Sequence, residues 1–223
     1  MDLRFDLIWS YIPLLLQGTK LTIQLTVFAV AIGTVIGLFV SLLRISNFKP
    51  VSWVAKIYVD FFRGTPLLVQ ILLFYYGVPQ LLGLDSMSRH VAGIAALGLN
   101  SGAYVAEIFR SGILSVHKGQ MEAARSLGMT YAQAMRYVVL PQAFKVSIPP
   151  LGNEFIAMLK DSSLVSVISL PDLMHTGRMV VNRAYRSFET FILVALLYLI
   201  MTTTISQLVS YLERVFGKDD QSQ

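Results

Sequence analysis

The amino-acid sequence predicts an all-α membrane protein with about five transmembrane helices. Hydrophobic residues make up 55% of the 223 positions. Charged residues make up 14%, against about 25% in a soluble domain. The apolar residues also gather into stretches that approach the roughly 20 residues a helix needs to cross a bilayer.

Taken in order, Phe5 to Gln17 is apolar but short and holds Pro13, which predicts an interfacial N-terminal helix. The first span runs from about Leu21 to Leu43. Its Gly33 and Gly37 stand one helical turn apart, a spacing that lets helices approach closely. The second runs from about Val54 to Leu82 and is interrupted by Arg63, Gly64, Thr65 and Pro66. The third is about Val91 to Ile113. The fourth, about Ser147 to Ile168, is expected to be irregular, because Pro149, Pro150 and Gly152 discourage a continuous helix. The fifth, about Phe188 to Tyr211, is uninterrupted. No linker or internal repeat divides the chain, so residues 1–223 read as one domain with a frayed tail from Lys218 to Gln223.

Orientation follows from the basic residues near the spans. An outer N-terminus puts Arg44, Lys49, Lys56, Arg110, Lys118, Arg125, Arg136, Lys145, Arg214 and Lys218 inside. It leaves Arg4, Lys20, Arg89, Arg178, Arg183 and Arg186 outside. The bias favours N-outside, C-inside. The net charge of +5 belongs to these flanks, and no basic run points to nucleic acid. Without cysteine the chain makes no disulfide and no thiolate site. Asp2 and Asp6 are wrong for a cleavable signal. His90, His117 and His175 lie far apart, without metal-ligand spacing.

The longest inner loop, about residues 115–145, is not a polar tether. Met121, Ala124 and Leu127, then Met135, Val138 and Val139, recur at helical spacing. Gly119 and Gly128 punctuate them, and Pro141 follows. The pattern predicts a short helix, a glycine turn and a second helix returning to the membrane.

In that loop Glu122, Ala123, Ala124 and Gly128, followed by Val138, Val139, Leu140 and Pro141, resemble the EAA loop of bacterial ABC importer permeases. Val138 stands where that pattern has isoleucine. Further similarity to the polar amino-acid branch lies in Arg63–Leu67, Ala103–Ile108, Gly119 with Gln120, Pro141–Ala143, Gly152 with Asn153, and Leu159–Leu164. The resemblance implies a multi-pass permease of the bacterial inner membrane that moves an amino acid by alternating access. It implies two cytoplasmic ATPase subunits that bind ATP and Mg, and a second permease, either another copy or a paralogue. It also implies an extracytoplasmic solute-binding protein. Glu122, Ala123, Ala124, Leu127 and Gly128 would then form the coupling helix. This chain holds no Gly-x-x-x-x-Gly-Lys-Ser/Thr loop, so the nucleotide would belong to the partner. An ion-coupled secondary transporter and a non-transporting scaffold are the competing readings. The absence of an inverted repeat counts against the first, and the charges of the fourth span against the second.

Those charges are the candidate substrate site. Glu154, Lys160 and Asp161 fall within one apolar segment, where ionisable groups are costly and signal function. Glu154 and Asp161 share a face if the helix continues, with Asn153 and Lys160 on the neighbouring stripe. The two carboxylates suit the positive groups of an amino acid, favouring arginine, lysine or histidine. Backbone N–H groups freed by a broken helix, with Ser162, would take its carboxylate. A structural Lys160–Asp161 pair is the plainer alternative. Gln24 is expected to face the interior and Thr65 to line a pocket. Thr22 and Thr26 read as packing hydroxyls, and Asn100, Tyr104 and Glu107 as polar glue.

Overall fold

The computed structural model describes residues 3–217; the tail expected to fray lies outside them. The regular elements among the described residues are all helical, with no strand among them. Phe5–Leu7 and Trp9–Tyr11 form single 3-10 turns. Helix α1 (Ile12–Arg44) then runs unbroken into the first span. Pro13 does not interrupt a separate interfacial helix as expected. It sits in the first turn of α1, where the missing N–H would have no partner anyway.

Helix α2 (Lys49–Gly64) ends at the Thr65–Pro66 break. The chain resumes as α3 (Leu67–Leu72), a π turn (Leu73–Gly77) and α4 (Val78–Leu82). The bend across the break is 105°. Pro66 forces this because it disfavours helical geometry at Thr65, whose φ and ψ are −118° and 148°. The second span is therefore two pieces.

Helix α5 (Arg89–Ser115) lies at the centre, packed on α1, α2 and α8. Small residues set the α1 contact. A Cβ on Gly33 would lie 2.8 Å from the Ser101 Cβ, and one on Gly37 would lie 2.6 Å from Val105 Cγ1. The core above that contact joins Leu25 and Ala29 of α1, Ile71 of α3, Ala92, Ala96 and Leu97 of α5, and Met158 farther along the chain.

After α6 (Lys118–Ser126) and α7 (Tyr131–Ala134), a π turn leads into α8 (Leu140–Asp161). Contrary to expectation, α8 passes through Pro149 and Pro150 without a break. Neighbouring helices grip it on both sides of the prolines: Gly112 of α5 lies against Ala143 and Ser147, and Gly152 lies against Val209. Membrane helices tolerate proline when neighbours hold them in this way. The irregular part comes later, as a 3-10 segment from Ser162 to Ile168.

Helix α9 (Leu173–Ala184) is amphipathic and short, and α10 (Ser187–Gly217) is the last span. The Asp172 carboxylate caps α9 by accepting from the Met174 and His175 amides at 3.1 and 3.0 Å. Thr22 of α1 accepts the Leu173 amide at 3.0 Å, so Thr22 does serve packing. By length and composition α1, α5 and α10 each suffice to cross a membrane, and the bent α2–α4 unit adds a fourth. Helix α8 falls outside that test. Its charges sit in a helix packed between α5 and α10.

Candidate functional site

In α8 the expected register holds, but the environments of its charges differ. Glu154 is 9% exposed, whereas Asn153, Lys160 and Asp161 are exposed. The Ser101 hydroxyl stands beside Glu154, yet neither it nor Glu154 Oε1 completes a well-formed hydrogen bond with the protein. A buried carboxylate oxygen without a donor forfeits about 1–3 kcal/mol or more. Lys160 and Asp161 form no ion pair among the described residues, so the plainer structural reading of that pair lacks its contact.

Three expected site residues are placed otherwise. Because α8 is continuous, Pro149–Gly152 frees no run of N–H groups. Ser162 is fully buried, and its hydroxyl donates to the Leu159 carbonyl at 2.8 Å. It has no free face for a carboxylate. Gln24 is exposed rather than interior, because α1 turns Leu25 and Thr26 toward the core and Gln24 away. Thr65 is half-buried and its hydroxyl is engaged locally: it donates to Phe61 O at 2.8 Å and accepts from Gln70 Nε2 at 2.8 Å.

That last bond belongs to a network the sequence reading missed. Gln70 is buried, and its Nε2 also donates to Phe62 O at 2.9 Å and Thr65 O at 3.1 Å. Asn100 Nδ2 donates to Gln70 Oε1 at 2.9 Å and to Phe62 O at 3.2 Å. Together they satisfy the carbonyls left open where α2 stops, so the break is fixed in place. The available signal was a glutamine one turn after a proline in an apolar run.

The cleft between α2, α5 and α8 has a volume of about 380 Å³ and is lined by Arg63, Tyr104, Glu107, Ser111, Val146 and Pro150. Glu107 pairs with Arg44 of α1 and with Arg110, whose Nε donates to it at 2.9 Å. Asn100 and Glu107 thus act as the polar glue expected of them. On α2, Lys56, Asp60 and Arg63 follow one another along an exposed stripe. Charges within spans face a bundle interior or a watery path rather than lipid. This side of the molecule therefore has the character of a seam.

The inner loop matches its expected geometry. His117 caps α6 by accepting the Gly119 amide at 3.1 Å. At the far end Gly128 takes φ +87°, with Gly128 N bonded to Arg125 O and Met129 N to Ala124 O. That is a Schellman ending, which favours glycine at the left-handed position. Thr130 and Gln133 then form a capping box that starts α7. Ala124 and Met121 turn inward, Met121 against Ile113 and Val139. Glu122 and Ala123 point outward, and Leu127 is 83% exposed.

Fold and site define a polytopic membrane protein with a polar seam and a helix–glycine–helix loop between α5 and α8. The chain belongs to the family of inner-membrane components of binding-protein-dependent transport systems, whose model matches residues 10–218. It is 39% identical to the arginine transport system permease protein ArtQ of Bacillus subtilis (strain 168), over 99% of this chain and 100% of that one. It is 37% identical to the glutamine transport system permease protein GlnP of Escherichia coli (strain K12), over 96% and 98% of the two chains. A solved amino acid ABC transporter crystallised with histidines superposes with a TM-score of 0.90 at 49% identity, covering 96% of this chain and 99% of that one.

Proposed function

We propose that this chain is the translocating subunit of an ABC importer for basic amino acids, oriented N-outside and C-inside. The observation that carries the cargo class is Glu154, a buried carboxylate with an oxygen that meets no protein donor. Asp161 lies two turns farther along α8. Two negative groups two turns apart on one helix favour arginine, lysine or histidine. The relatives named for arginine transport and crystallised with histidines support this reading, while the glutamine relative marks the nearest rival cargo. Asn153 and Lys160 border the same site.

In this reading an extracytoplasmic binding protein delivers the amino acid, and a second permease completes the seam. Two cytoplasmic ATPase subunits bind ATP with Mg. Glu122, Ala123, Ala124, Leu127 and Gly128 form the element seated in those subunits. Closure of the ATPases on ATP displaces α6, and through it α5 and α8, so that the seam opens to one side and then the other.

The test is amino-acid-stimulated ATP hydrolysis and uptake by the reconstituted complex across a panel of amino acids. Arginine, lysine or histidine should stimulate most. Glu154→Gln should weaken uptake of the basic cargo by about tenfold, the equivalent of 1.4 kcal/mol, with little effect on glutamine. An unchanged competition profile in Glu154→Gln would falsify the role given to this carboxylate.

A further inference from the structure

We infer that a crevice between α1, α5 and α8 holds one anionic phospholipid, with an acyl chain in the crevice and its phosphate on Arg136. The crevice lies at the end of the spans that carries the α6–α7 loop and has a volume of about 270 Å³. Phe109, Ile113 and Ala143 form its buried floor, and Leu38 and Phe144 stand partly exposed at its mouth. The Phe109 and Phe144 rings stack with their centres 6.4 Å apart. Leu38 and Phe109 each lie six residues, about 9 Å, before the end of their helix. That depth falls within one leaflet of a hydrocarbon core about 30 Å thick.

The rim of the crevice differs from its floor. Arg136 lines it from the π turn that leads into α8, and is exposed. Its guanidinium carbon lies 5.5 Å from the centre of the Tyr137 ring, and it makes no ion pair among the described residues. Tyr137 is itself exposed, as a tyrosine at the level of the headgroups would be. A guanidinium on an aromatic face keeps an N–H edge for an anion, and its planar fork matches two phosphate oxygens at once. An apolar floor at acyl-chain depth and a cation at its rim complement the two halves of an anionic lipid. A protein partner would have to bring an apolar side chain and an acid to the same two levels. A phospholipid carries both in one molecule and surrounds the spans. The plainer role for Arg136, a general anchor among headgroups, needs no crevice.

The experiment is native mass spectrometry of the purified, delipidated transport complex, titrated with phosphatidylglycerol or with phosphatidylcholine of the same acyl chains. Each copy of this chain should retain one phosphatidylglycerol, preferred over phosphatidylcholine by about fivefold or more. Arg136→Gln should bring the two lipids close to parity, and Arg136→Lys should keep most of the preference. Leu38→Trp, which fills the mouth and leaves Arg136 in place, should lower retention of both lipids by about tenfold. Glycerol phosphate, which has the anion but no acyl chain, should displace neither. Unchanged preference in Arg136→Gln overturns the inference, and so does unchanged retention in Leu38→Trp, the result expected of a general anchor. Displacement by glycerol phosphate makes Arg136 a site for free phosphate and overturns it too. Loss of the ATPase subunits from Arg136→Gln with lipid retention intact assigns the arginine to a protein partner instead.

Discussion

In the inner loop every change of direction is made by the residues at that point: His117 starts α6, Gly128 ends it, and Thr130 with Gln133 starts α7. In the α5–α8 seam the local residues argue for one shape and the neighbours impose another. Two consecutive prolines and a glycine would break an isolated helix, yet α8 is continuous where Gly112 and Val209 hold it. The first region carries its geometry in short motifs and leaves Glu122, Ala123 and Leu127 exposed. The second depends on contacts made by residues distant in the chain, and it holds the charges.

That contrast can be broken most severely at the neighbours. Gly33→Leu places a side chain where even a Cβ lies 2.8 Å from Ser101. The expected cost is about 3 kcal/mol, at the upper end for overpacking, with loss of binding at Glu154 as Ser101 is pushed aside. Thermal unfolding of the purified protein in detergent checks the first part and arginine binding the second. Ala123→Trp makes the opposite case. Ala123 is exposed, so the fold should hold, while the bulk blocks seating in the ATPase subunits. Uptake should fall by about tenfold with unfolding temperature and detergent-solubilised ATPase activity maintained. Normal coupling in that variant would remove α6 from the transmission path. The smallest effect belongs to the cap: Thr130→Ala should cost about 1 kcal/mol, read as faster hydrogen exchange confined to α7.

What the sequence made legible follows the same division. The helix–glycine–helix form of the inner loop, the break near Pro66 and the close approach at Gly33 and Gly37 all follow from local chemistry or spacing. The continuity of α8, the burial of Ser162 and the outward turn of Gln24 did not follow. Each depends on which helix lies alongside, and a single helical period cannot say that. Gln70 was hidden for the same reason, since a polar residue in an apolar run becomes informative only when the carbonyls it serves are known.

The approach of Gly37 to Val105 has a consequence for inheritance. With a Cβ at position 37 already 2.6 Å from Val105 Cγ1 and 2.8 Å from the backbone nitrogen of Ala106, a smaller residue at 105 alone does not make room for it. A descendant chain keeps glycine at 37 or moves one helix away from the other, so related chains should hold 37 fixed even where 105 varies.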